Sequence, residues 1–190
     1  MSQNYEISQP LPPSVKRAST ILQWSGNIGF WTQLVLGVLA AALLFLSLAG
    51  LVTQDKSSEG TSFSVFCSIS GVIALMISTF ICFRYKKIAQ LMKNPEPKAR
   101  PKKSSTLQLI RAGLLSNLVG IFLSIIGAEG FVGILWRKLS NIPQGAAVYD
   151  TGKLPTPSEI LLLLANTHTI SCHFAGIIVG LYLLDRLDRY

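Results

Sequence analysis

Charge is what this sequence has least of. Only 14% of its 190 residues are Asp, Glu, Lys or Arg, against roughly a quarter in a soluble globular domain. The shortage is concentrated. None of the four occurs from Ala18 to Gln54, from Gly60 to Phe83, or from Ile160 to Leu184, and Glu129 stands alone between Ala112 and Leu135. Cysteine is scarce too. Cys67, Cys82 and Cys172 are scattered, odd in number and set in apolar runs, which leaves no basis for a disulfide framework or a zinc site. Their default role is that of small buried hydrophobes. There is no nucleophile–base motif, phosphate loop or metal-ligand spacing. An enzyme is therefore the least expected class, and nothing calls for a cofactor.

What fills the gaps is hydrocarbon. Hydrophobic residues make up 49% of the chain, and the mean hydropathy is +0.46. A helix needs about 20 apolar residues to cross a hydrocarbon layer about 30 Å thick, and each uncharged run is long enough. Inside lipid every backbone amide must be paired within its own segment or in a closed barrel. These runs are continuous rather than alternating, so helices fit and barrel strands do not. The sequence predicts an all-α, polytopic membrane protein, a bundle of four transmembrane helices near residues 28–52, 62–83, 113–135 and 160–184.

A net charge of +8 on a soluble face would suggest nucleic acid; beside membrane spans it reads as topology, and no nucleic-acid partner is expected. Of the 17 Lys and Arg residues, thirteen fall in the N-terminal segment, the loop between the second and third spans, and the C-terminal tail. Four, Lys56, Arg137, Lys138 and Lys153, fall in the two opposite loops. The positive-inside rule then places both termini and the basic loop in the cytoplasm or its stromal counterpart.

Met1–Pro13 is polar and Pro-rich and reads as disordered, lacking the layout of a signal peptide. Residues 14–190 read as one membrane domain. Ser14–Trp24 has Val15, Ala18, Ile21 and Leu22 on one side, the pattern of a short helix lying in the headgroup layer. Residues 84–111 form a basic linker, and the Pro-Glu-Pro-Lys-Ala-Arg-Pro stretch within it excludes a helix. In the last loop, Ser158 reads as the cap of the fourth span.

Lipid gives helices no hydrophobic drive to associate, so small residues mark contact faces. Ser116, Gly120, Ser124 and Ala128 recur every four residues in the third span, and Ser70, Ala74, Ser78 and Cys82 do so in the second. Gly176 and Gly180 form a Gly-x-x-x-Gly pair in the fourth, and Gly37 with Ala41 a weaker one in the first. Glu129 is the one acid inside a span, a costly position that should face protein or water. On the fourth span Asn166, Thr169, His173, Gly176 and Gly180 share one face, while His168 points roughly the opposite way. Counting from the outer ends sets Glu129 level with Asn166 to Thr169, with His173 deeper. Such a ladder is either a cation or proton path or a set of interhelical hydrogen bonds.

Three stretches carry a family likeness: Ser14–Leu36, Gly127–Gly133 and Ala165–Gly176. They resemble the chloroplast inner-envelope translocon and permease family and its cyanobacterial relatives, from about Pro13 to Leu184. The resemblance implies either a permease for a metal ion such as iron or a non-catalytic subunit of protein-translocation or membrane-assembly machinery. Glu129, Gly133, Asn166 and His173 match the family's motifs. The absence of a transit sequence points to a cyanobacterial member in a plasma or thylakoid membrane. One Glu and one inward His are few ligands for metal transport by a lone protomer, so a homo-oligomer or larger complex is the expected partner besides the bilayer. Single cysteines placed at Lys98 and Gln144 test the topology. Labelling from outside intact cells should reach position 144 and spare position 98; labelling at 98 would reverse the assignment.

Overall fold

A computed structural model of the chain describes residues 11–52, 59–142 and 154–189. They form four helices, α1 (Pro13–Val52), α2 (Glu59–Leu91), α3 (Lys103–Ser140) and α4 (Pro157–Asp188), with a 3-10 turn at Pro97–Ala99 and no strand among the described residues. Each helix is long and apolar enough to cross a membrane, and the protein is a multi-pass membrane protein. The helices alternate in direction around a square. α1 packs against α2 and α4, and α3 packs against the same two, leaving α1 and α3 on a diagonal.

Close approach between helices is made at small residues. Gly71 of α2 lies against Ser124 of α3, Gly127 against Ser68, and Gly130 against Ser64, and Ser116 donates to the Ala74 carbonyl at 3.1 Å. These pairs fix an antiparallel register along the whole α2–α3 seam. Apolar side chains close both ends of the bundle. Leu22, Ile81, Tyr85, Ala89, Ile110, Leu183 and Leu187 cluster at the end bearing the basic turn. Leu44, Phe131, Ile134, Leu162 and Ala165 cluster towards the other. Trp24, Trp31 and Trp136 stay exposed on the outside, where ring and headgroup can meet.

The helices run beyond the expected spans. α1 has 40 residues, roughly 60 Å at 1.5 Å per residue, and Ser14–Trp24 is its first part rather than a separate helix in the headgroup plane. The reason is packing: Ala18, Ser19 and Leu22 are buried against the other helices, so the segment cannot lie flat on lipid. α2 and α3 likewise consume most of residues 84–111, leaving only 92–102 outside α-helix. There the prolines hold, and Arg100 pins the turn through the carbonyls of Asn94 (2.9 Å) and Pro95 (3.1 Å).

The cap of α4 is Thr156 rather than Ser158. A capping box needs an acid three residues after the cap, and Glu159 stands at that spacing. Its carboxylate accepts from the Thr156 amide at 2.9 Å and also pairs with Lys138 at the end of α3. Ser158 instead lends its carbonyl to the Ser47 hydroxyl of α1 at 2.6 Å. The segment expected to be disordered, Met1–Pro13, lies mostly outside the described residues, as does the centre of the last loop.

Candidate functional site: a buried polar column

Between the two apolar clusters the bundle interior turns polar. Gln33 of α1 is fully buried. Its amide nitrogen donates to Ser78 Oγ of α2 and to Asn117 Oδ1 of α3, both at 3.0 Å, and approaches the Cys172 carbonyl of α4 at 3.5 Å. The Cys82 thiol donates to Gln33 Oε1 at 3.4 Å. Asn117 donates to the Gly113 carbonyl of its own helix at 2.9 Å, which turns its Oδ1 towards the axis. There it meets His173 Nδ1 at 3.0 Å, and the other ring nitrogen meets the Gly71 carbonyl at 3.1 Å. One side chain from each of α1, α3 and α4, with Ser78 and Cys82 from α2, makes a single hydrogen-bonded layer.

The layer sits towards the basic end. Asn117 is six residues from Arg111 and 20 from Arg137, about 9 Å and about 30 Å along the helix. His173 is its most central member. Beyond it, away from the basic end, the polar lining continues. Asn166 donates to Ser68 Oγ at 2.8 Å, while Thr169 and Ser124 are buried and bonded to their own helices at 2.9 Å.

The shared face of α4 is therefore as expected: Asn166, Thr169, His173, Gly176 and Gly180 are all buried. Glu129 is not part of it. It is exposed, lying about 160–200° around α3 from the buried Phe131 and Gly127, and Asn166 bonds to α2 instead. On the register set by Gly120 against His173 and Gly176 against Asn117, Glu129 also sits about 3 Å or more outward of the Asn166–Thr169 level expected for it, so it departs from expectation in both depth and face. Gln33 and Asn117, the two amides at the heart of the layer, were not singled out from sequence. The signal was available, since each is an amide inside a long apolar run.

Two glycines make room for the layer. A Cβ at Gly120 would overlap the His173 ring, and one at Gly176 would overlap the amides of Gln33 and Asn117.

The protein-family model that matches the chain is that of a protein of unknown function, DUF3611, and it covers residues 12–188. The chain belongs to this family. Among curated proteins it is similar to Protein TIC 21, chloroplastic, of Arabidopsis thaliana, with 26% identity over 175 residues. That alignment takes in 90% of this chain and 57% of the relative, so the chain spans a little over half of the relative's length. No solved structure matches. The family reached through the motifs at Ser14–Leu36, Gly127–Gly133 and Ala165–Gly176 is the family found.

The layer also separates two glycines that look alike in sequence. Gly176→Ala should destabilise the bundle by about 1–3 kcal/mol, the usual cost of overpacking. At Gly180 an added Cβ would meet Leu114 no closer than 3.4 Å, so Gly180→Ala should change stability little. Thermal unfolding in detergent compares the two; equal effects would contradict the layer.

Proposed function

We propose that this protein is a small, non-enzymatic permease for a metal cation such as iron, with Gln33, Asn117 and His173 handling the cargo. The polar column carries this reading. Polar side chains at membrane depth are expensive and mark ion and substrate pathways, and here they line the axis between two apolar plugs. The donors are an imidazole, two amide oxygens and the Cys82 thiol, a set that suits a first-row transition metal better than an alkali ion. Among the described residues no three His, Cys, Asp or Glu side chains gather. The arrangement therefore corresponds to a closed state, with the donors held by one another until cargo displaces them. The charge distribution supports cytoplasmic termini, and the family supports a plastid-type or cyanobacterial membrane.

One observation favours a second reading, a non-catalytic subunit of translocation or membrane-assembly machinery. Every buried side-chain nitrogen and oxygen among the described residues already has a partner. Such a layer explains itself as a fastening for four helices, with no cargo required.

Iron or manganese uptake into proteoliposomes separates the two. Under the permease reading, His173→Ala lowers flux on the order of tenfold or more, the scale on which ligand-shell changes act. No flux above protein-free vesicles, or flux unchanged in His173→Ala, leaves the subunit reading.

A further inference from the structure

Two ionisable side chains at membrane depth take no part in the polar column. Glu129 is exposed on α3 and His168 is half-buried on α4, and among the described residues neither has a hydrogen-bond or ion-pair partner. A lone carboxylate facing hydrocarbon is costly unless something meets it.

Their depths are about one turn apart, and their side chains lean towards each other. Gly120 of α3 lies against His173 of α4, and Asn117 against Gly176. On that register Glu129 is nine residues outward from Gly120 and His168 five outward from His173, a difference of about 6 Å. Each side chain tilts towards the N-terminus of its own helix, which narrows that gap, as it does for the ion pair of Lys138 and Glu159.

Their faces do not coincide. Glu129 projects from the back of α3, away from the bundle axis. His168 precedes Val179 by eleven residues, about three turns, and Val179 stands 3.3 Å from where a Cβ on Gly29 of α1 would lie. His168 therefore lines the α1 flank of α4, and the two groups cannot meet within one chain.

A second copy can bring them together. Copies arranged in a ring within a bilayer are related by rotation about the membrane normal, which preserves depth. We propose that the protein forms a cyclic homo-oligomer in which the outward face of α3 docks on the α1–α4 side of the next copy, pairing Glu129 with the neighbour's His168. A carboxyl and an imidazole are complementary hydrogen-bond partners, and each copy offers one of each. Donor and acceptor faces differ, so the contact is heterologous and closes as a ring rather than a two-fold dimer. Gly133, one turn from Glu129, has no atom within 4 Å of where its Cβ would stand. A neighbouring helix can come close there. Nothing in this pairing depends on what the bundle carries.

The test uses two differently tagged copies in membranes, one with Glu129→Cys and one with His168→Cys, joined by a short thiol crosslinker. Cys67, Cys82 and Cys172 are buried. A crosslinked species carrying both tags is expected. In parallel, Glu129→Ala and His168→Ala should each weaken assembly about tenfold, as for a lost polar contact between membrane helices, with protomer melting unchanged. The exchange E129H/H168E should restore assembly. Monomers throughout in bilayers, a wild-type oligomer in both single variants, or no crosslink between 129 and 168 would each overturn the proposal. Failure of metal flux would not touch it.

Discussion

A primary amide buried among membrane helices has no water to turn to, and the structure is arranged around satisfying one. Gln33 has two N–H donors and one carbonyl, and it spends them on all three other helices: Ser78 and Cys82 of α2, Asn117 of α3, and the Cys172 carbonyl of α4. Leaving such a group unpaired in a low-dielectric interior costs several kcal/mol. Lipid supplies no hydrophobic drive to hold helices together. The need to pair these amides therefore specifies which helices meet and at what level, where apolar contact alone would permit many arrangements.

The rest follows from that layer. His173 reaches the shared oxygen of Asn117 only because residue 120 has no side chain, and Gln33 meets Asn117 only because residue 176 has none. The apolar clusters on either side exclude water, which strengthens the bonds within. The same seclusion gives the layer its functional interest. A set of nitrogen, oxygen and sulfur donors held off lipid and off water is what a closed cation path requires, and also what a rigid fastening requires. The two uses differ in whether the bonds must open.

Much of the fold was legible because lipid imposes coarse rules. Four long apolar runs, three of them free of charge and one holding Glu129 alone, could only be spans, and the periodic Gly120, Ser124, Gly176 and Gly180 marked inward faces that are buried as expected. Single residues were harder. Gln33 and Asn117 have no periodic signature, and their importance arises only when α1, far away in sequence, is laid diagonally across from α3. Cost alone points Glu129 inward, yet glycines and serines of α3 occupy that face. Ser158 suits a cap by residue type, but the spacing from Thr156 to Glu159 is the stronger signal. The N-terminal segment looked interfacial because its apolar side fits lipid as well as it fits a neighbouring helix.

The central claim is that the side chains of Gln33, Asn117 and His173 share one layer across the bundle. Solid-state NMR of the protein in bilayers, with labelled asparagine and histidine side chains, measures the separation of Asn117 Cγ and His173 Nδ1. The 3.0 Å contact between Nδ1 and Asn117 Oδ1 predicts about 4 Å for that pair. A separation beyond about 7 Å, too long for any direct hydrogen bond, would contradict it.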